Sequence, residues 1–417
     1  MKVRLPQDKL ERIITDCKSL QGEKQDKIRT VAKVIGQVIA TFSAVEWGKL
    51  HYRDLEREKL TALRVNYGNF DSQMNITQQM KTELQWWISE LKNQTRDIVK
   101  SNPDIIMTTD ASMDGWGASI LGIKLGGRWS LEERKQHINY LELYAAFLAL
   151  KANADIISDK HVQILSDNST AVSYMAHMGG KENRLNSLAK DLWNWCSQHR
   201  VWLSVSHIPG VENTEADHAS RNFNDRIEWE LNTEVFEKLT NIFGKPEIDL
   251  FATRINTKCM KYVSWARDPD AIYVDAFSRS WANEFNYLFP PFSLIAVCLQ
   301  KMKRERATGM MILPCWPTQP WFTMFLELLT DTPIILPRTD DLLILPGTNQ
   351  KHPLRKRLKM LAGRISGKST ETDRFRTKLP TLCSQRGEMG LISNTQLISG
   401  DGGTFVCKGK LITYSQL

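Results

Sequence analysis

The chain of 417 residues lacks any CxxC pair: its seven cysteines, Cys17, Cys196, Cys259, Cys298, Cys315, Cys383 and Cys407, are scattered. That scatter argues against a zinc module and against a disulfide framework, and it points to a reducing compartment. No apolar run reaches the ~18 residues that a membrane span needs. The amino-terminal MKVRLPQDKLERI has none of the hydrophobic region of a signal peptide. A cytoplasmic or nuclear protein with no membrane partner is expected. Acids are missing from one stretch, residues 351–368, which holds Lys351, Arg355, Lys356, Arg357, Lys359, Arg364 and Lys368. The whole chain carries a formal net charge of +8, which favours a polyanionic partner. A composition of 42% hydrophobic and 24% charged residues is that of an ordinary globular protein, long enough here for two or three domains.

Residues 1–101 read as helical. KIRTVAKVIGQVIATFSAV sets Ile28, Val31, Val34, Ile35 and Val38 at helical spacing, and MKTELQWWISELKNQ places Leu84, Trp87, Ile88 and Leu91 on one side. After Pro103 the pattern changes. DASMDGWGASILGIKLGGRWS reads as a glycine-punctuated meander of two or three antiparallel strands. INYLELYAAFLALKA is a helix, with Asn139 as a capping residue and Glu142 in the first turn. HVQILSD is a buried strand ending at Asp167. Two helices follow, over NSTAVSYMAHM and RLNSLAKDLWNWCSQHR. VWLSVSHIPG alternates as a strand, and TEADHASR opens a last helix. From 225 to 350 a second α/β rhythm runs: a helix at EVFEKLTNIF, a strand at EIDLFA, a helix at LIAVCLQKMKR, and strands at GMMILPCW and TPIILP. Residues 351–417 read as a basic, partly disordered tail.

Four acids fall where an α/β fold can gather side chains: Asp110 in the first strand, Glu142 at a helix start, Asp167 at a strand end and Asp217 at the opening of the last helix. Clustered carboxylates disfavour one another's charge, and divalent ions relieve that repulsion. Magnesium takes a few carboxylates together with waters and phosphate oxygens, and two such ions can cleave a phosphodiester. His207, at the end of an alternating strand, could move protons because imidazole titrates near neutrality. Taken singly, each acid is an ordinary turn residue. The ordered set carries the argument.

TTDASMDGWGA, INYLELYAAFLAL, ILSDNSTAVSYM and SHIPGVENTEADHASR resemble, in order, the four blocks of the retroelement ribonuclease H family, and most of all those of DIRS-type retrotransposons. The resemblance implies a five-stranded mixed sheet with flanking helices over residues 102–224. It also implies hydrolysis of the RNA strand of RNA–DNA hybrids with two magnesium ions held by Asp110, Glu142, Asp167 and Asp217, assisted by His207. TVAKVIGQVIATFSAVEWGKLHYRDLEREKL looks like the thumb and connection segment that follows the reverse-transcriptase palm in such polyproteins. No YxDD-type palm motif occurs, so polymerase activity is not expected of this chain alone, and an upstream palm is an expected partner.

EIDLFATRIN, YVSWARDPDAIYVDAFSRSW, YLFPPFSLI and MMILPCWPTQPWF resemble the adenine-methyltransferase-like domain of DIRS-type elements. In active members a [DNS]PP[YFW] motif supplies a polar acceptor and a stacking aromatic. Here Phe289 stands at the acceptor position, Phe292 keeps the aromatic, and the glycine-rich cofactor turn is missing. Asp249 could occupy a related strand end. Asp249 and Phe292 are therefore the candidate cofactor-binding residues of a degenerate site, with S-adenosylmethionine not expected. Trp265, Trp281, Trp316 and Trp321 read as core. The overall expectation is an α/β ribonuclease H preceded by a helical segment and followed by a second α/β domain. The competing expectations are a catalytically idle nucleic-acid-binding module and a DNA adenine methyltransferase.

Overall fold

The computed structural model describes residues 1–98, 101–223, 229–381, 397–399 and 402–417. Helices α1 (Gln7–Gly22), α2 (Ile28–Ile39), α3 (Arg53–Val65) and α4 (Gln78–Glu90) surround a core of Leu10, Ile13, Val31, Ile35, Leu55, Leu84 and Trp87. The apolar spacing read from the sequence is the buried stripe of α2. That helix stops at Ile39 rather than running to Val45, because the Thr41 hydroxyl donates to the Val38 carbonyl at 2.6 Å and the chain turns there. Two short antiparallel pairings, Lys2–Val3 with Arg96–Asp97 and Gln25–Lys27 with Gln73–Asn75, tie the unit's ends together. The helical reading of the sequence did not include them.

The next unit begins with the antiparallel meander β1 (Ile105–Ala111), β2 (Gly115–Ile120) and β3 (Ile123–Arg128). α5 (Ile138–Ala152) crosses to β4 (His161–Ser166). α6 (Ser169–Ala176) and α7 (Asn183–Gln198) lead to β5 (Trp202–His207), and α8 (Thr214–Arg221) closes the unit. The sheet order is β3-β2-β1-β4-β5, with β4 and β5 parallel to β1. This is the ribonuclease H-like mixed sheet with flanking helices that the resemblance implied. Alternation sorts its faces: Trp116 turns into the core beside Leu141 and Ala145, while its neighbour Gly117 faces α8. A Cβ on Gly117 would collide with the backbone at Ala216 and Ser220, so glycine is what lets α8 lie directly on β2. The first two units are joined by a buried ion cluster. Lys190 of α7 donates at 2.6 Å to both Asp54 and Glu83, and Glu83 also accepts the backbone N–H groups of Asp54 and Leu55.

In the last unit α9 (Thr233–Phe243) precedes a larger sheet. Its strands are β6 (Ile248–Asp249), β7 (Lys261–Ser264), β8 (Tyr273–Val274), β9 (Phe285–Leu288), β10 (Thr308–Pro314), β11 (Ile334–Ile335), β12 (Met360–Ser366) and β13 (Ser415–Gln416). α10 (Ile295–Glu305) and α11 (Pro320–Leu328) flank it. The order is β8-β7-β6-β9-β10-β12-β11-β13. The first five strands are mutually parallel, and β12 runs antiparallel between β10 and β11.

β12 places part of 351–417, the stretch read as a basic, partly disordered tail, inside the sheet. Met360, Leu361, Ala362 and Ile365 form a continuous buried strand, and only Arg364 of that strand reaches solvent. Such a run signals a strand buried on both faces. The surrounding lysines and arginines concealed it. Residues 382–396 and 400–401 of that tail lie outside the described residues. Trp281 and Trp321 are core, as expected, whereas Trp265 is exposed. Among the described residues no helix is long and apolar enough to cross a membrane.

Candidate metal centre

The parallel pair β1 and β4 delivers Asp110 and Asp167 to the same end of the smaller sheet, and α5 brings Glu142 against them. One carboxylate oxygen from each of Asp110, Glu142 and Asp167 lies within 4.8 Å of the others. The cap of α5 differs from the sequence reading. His137, not Asn139, precedes the helix, and its Nδ1 accepts the Asn139 N–H at 3.1 Å. Glu142 consequently sits in the second turn, facing the strand ends. Asn139 instead accepts from the Asn168 side chain at 3.0 Å, and Asn168 caps α6 by accepting the Ala171 N–H at 2.9 Å.

The electrostatics of the cluster follow from burial. Asp110 and Glu142 are buried, and Asp167 is half-buried. Burial, then the charges of Asp110 and Asp167, push the Glu142 carboxyl up to about 9, opposed by a hydrogen bond from the Ala111 N–H. Burial also raises Asp110, with Asp167 and Asp217 adding to it and the Ser220 hydroxyl opposing it. Glu142 Oε2 is buried with no hydrogen-bond partner. A buried carboxyl with one oxygen unpartnered, grouped with two further carboxylates, is a donor set that a cation would satisfy. Three carboxylate oxygens are hard ligands of the kind that divalent cations take. The residues present therefore fit a divalent ion.

The other two predicted residues stand beside this group. Asp217, in the first turn of α8, is held by Arg221 one turn later at 2.8 and 2.7 Å, and it lies outside the close trio. His207 is exposed at the end of β5, where its Nε2 hydrogen-bonds the Asp167 carbonyl at 3.0 Å. Two supporting residues were missed in the sequence. Ser220, fully buried, donates from Oγ to Asp110 Oδ2 at 2.7 Å. Gly210 packs so closely on Asp167 that a Cβ would lie 2.9 Å from its Oδ2. Both belong to SHIPGVENTEADHASR, where the acids and the histidine drew the attention. At the start of α5 opens a cavity of about 580 Å³ lined by Gln136, His137, Asn139, Tyr140, Thr170, Tyr174, Glu182, Arg184 and Leu185.

In the larger sheet the candidate cofactor residues do not form a comparable site. Asp249 is buried, and its two oxygens accept the N–H groups of Phe251 and Lys258 at 3.2 and 3.0 Å. Burial pushes its carboxyl up to about 6. Phe292 sits in an aromatic cluster with Trp316, ring centroids 5.4 Å apart, beside a cavity of about 180 Å³ lined by Trp229, Phe289, Pro290, Pro291, Phe292, Ser293 and His352. That cavity is smaller than the ~300 Å³ from which pockets for small-molecule ligands and cofactors usually start. Asp249 is engaged by the backbone of its own loop, and Phe289 supplies no polar acceptor.

No family model matches the chain. Over 134 residues the chain is 28% identical to the enzymatic polyproteins of Cauliflower mosaic virus strains CM-1841 and BBC, a stretch that covers 29% of this chain and 19% of theirs. The chain thus spans about a fifth of the length of these curated relatives. Among solved structures it is similar to the RNase H1 of Halobacterium salinarum NRC-1, at 20% identity over 28% of this chain and 92% of that one, with a TM-score of 0.23. It is also similar to the amino-terminal RNase H domain of a Mycobacterium tuberculosis protein, at 19% identity over 28% of this chain and 94% of that one, TM-score 0.23. A foamy viral protease-reverse transcriptase in complex with an RNA/DNA hybrid matches at 11% identity over 48% of this chain and 27% of that one, TM-score 0.21.

Proposed function

We propose that the chain is a retroelement-derived ribonuclease H that hydrolyses the RNA strand of RNA–DNA hybrids, acting beside an upstream reverse-transcriptase palm. The observation that carries this reading is the trio Asp110, Glu142 and Asp167 with the buried, unpartnered Glu142 Oε2. The order of the four sequence blocks and the likeness to a viral enzymatic polyprotein support the retroelement context. DIRS-type ancestry is the finer part of the proposal.

Asp110, Glu142 and Asp167 would hold a divalent ion, and Asp217 would contribute to a second. Such ions supply an activated water and stabilise the leaving oxygen of a phosphodiester. The chain's own residues prepare the site. Ser220 fixes the rotamer of Asp110, Gly210 leaves room for Asp167, and Arg221 keeps Asp217 ordered. His207 stands at the rim, next to the Asp167 backbone, where it would take up or deliver a proton as product leaves. The cavity along Asn139, Thr170 and Tyr174 offers hydrogen-bonding side chains to a nucleic-acid strand.

The test is incubation with a hybrid labelled separately on each strand, with single-stranded RNA, duplex RNA and duplex DNA as comparisons. Shortening of the RNA strand of the hybrid alone is expected, and its loss in Asp110→Asn and Asp167→Asn. Cleavage that persists in both variants, or salt-sensitive binding without turnover, would replace this reading by another nuclease site or by an idle binding module.

For the larger sheet we infer methyltransferase-like descent without methyl transfer. Five parallel strands followed by the inserted antiparallel β12 support the descent. Asp249 and Phe289 argue against the activity.

A further inference from the structure

Helix α5 carries Glu142, yet much of what grips it comes from the larger unit. Arg254, in the loop after β6, sends Nη1 and Nη2 to the two oxygens of Glu133 at 2.6 and 3.0 Å, and Nη2 also donates to the Arg128 carbonyl at 3.3 Å. Its guanidinium stands 5.9 Å from the ring centroid of Tyr144, two residues beyond Glu142. Glu133 in turn accepts the Ser130 N–H at 2.8 Å, which fixes the loop leading to the His137 cap. Trp129 of that loop stacks on Tyr144 at 5.7 Å and donates from Nε1 to the Ser112 carbonyl at 2.9 Å, two residues from Asp110. At the other end of α5, Lys151 meets Asp270 at 2.9 Å, and just beyond it Asp155 receives Arg267 at 2.5 and 3.0 Å. One segment, residues 254–270, thus follows the helix from its first turns to past its last.

Two features mark Arg254 as more than surface contact. Its side chain is only 16% exposed, and the bidentate fork fixes direction as well as distance. Its partners, Glu133 and Tyr144, lie just before and on the helix that carries Glu142, and Trp129, stacked on Tyr144, links that helix to the strand of Asp110. A shift of α5 by a fraction of an ångström would spread the carboxylate oxygens, which lie within 4.8 Å of one another.

We propose that Arg254 is a positioning residue for the carboxylate site: the larger unit serves the nuclease as an external splint on α5. This rests on the reading of the trio as a metal centre. It gives the larger unit a role that needs no methyl transfer.

The experiment uses the full chain with Arg254→Met and Arg254→Lys, and reads Mn²⁺ binding by calorimetry, cleavage kinetics on a hybrid, and thermal melting. Arg254→Met is expected to weaken Mn²⁺ roughly 10-fold, the scale seen when residues that orient metal ligands are lost. kcat should fall and KM for the hybrid should hold. Arg254→Lys, which keeps the charge without the fork, should give an intermediate loss, and it decides the matter if the methionine variant fails to fold. Unchanged Mn²⁺ affinity in variants that merely melt earlier would overturn the proposal, since plain interdomain adhesion predicts that result. If the wild type binds Mn²⁺ but cuts no hybrid, the nuclease reading fails while the affinity comparison still decides the role of Arg254. If it binds no Mn²⁺, both fall.

Discussion

Replacing Glu142 with glutamine should stabilise the metal-free protein, and the size of the effect can be worked from the structure. Burial and the neighbouring acids push this carboxyl from its ordinary 4.5 up to about 9. At pH 7 the folded chain therefore holds the group protonated, whereas the unfolded chain would ionise it. Protonating a carboxyl of ordinary acidity at pH 7 costs about 3 kcal/mol at ~1.36 kcal/mol per pH unit. The sign follows from linkage. The folded value lies above the unfolded one, so the group's contribution is fully present below about pH 4.5 and is lost as pH rises through about 9. Glutamine keeps the acceptor for the Ala111 N–H without the proton demand. In chelator at pH 7, Glu142→Gln should gain up to about 3 kcal/mol, or several degrees in the melting of this unit. The gain should vanish near pH 4.5. Adding magnesium should reverse the order, stabilising wild type and leaving the variant nearly unmoved. Thermal or urea melts at pH 5, 7 and 8.5, each with chelator and with magnesium, make the comparison. A glutamine variant less stable than wild type in chelator at pH 8.5 would refute the electrostatic reasoning.

Ser220→Ala removes the hydroxyl that donates to Asp110, and calorimetry should show Mg²⁺ or Mn²⁺ bound about 10-fold more weakly. His207→Ala should leave metal affinity intact, because the ring hydrogen-bonds the Asp167 carbonyl rather than its carboxylate, and should slow cleavage by up to about 100-fold in steady-state kinetics. Lys190→Met strands the buried Glu83 without its cation between the helical unit and α7, while Asp54 keeps Arg57 at 2.7 Å, and denaturant melts should show a loss of about 3 kcal/mol at pH 7. That loss should shrink in acid. Burial already raises the Glu83 carboxyl, and a neutral Glu83 has no need of the lysine.

The smaller unit was legible because its chemistry lies on regular elements. Asp110 and Asp167 close strands whose apolar alternation is plain, and glycines at 115, 117, 126 and 127 mark the meander. The helix of Glu142 was placed correctly, start included, but its capping residue was not. A histidine cap is rarer than an asparagine cap, and only the fold shows that Asn139 is turned toward Asn168 instead. Ser220 and Gly210 escaped because their roles depend on contacts across the fold, between α8 and β1 and between the turn after β5 and the end of β4. In the larger unit, basic residues hid the apolar core of β12. The splint of Arg254 on α5 joins residues 121 positions apart, and no local pattern marks such a pair. Asp249 stands at a strand end, as read, and the backbone of its own loop donates to both its oxygens, which the sequence does not show.

The central claim is that Asp110, Glu142 and Asp167 gather divalent ions to cut the RNA of a hybrid. Its most direct test is the magnesium dependence of cleavage of one RNA-labelled hybrid by wild type and Asp110→Asn, with folding checked by circular dichroism. The account predicts saturable cleavage by wild type, none in chelator, and a loss of at least 100-fold in a folded Asp110→Asn. Equal cleavage by the two proteins, or cleavage by wild type that chelator does not abolish, would contradict it.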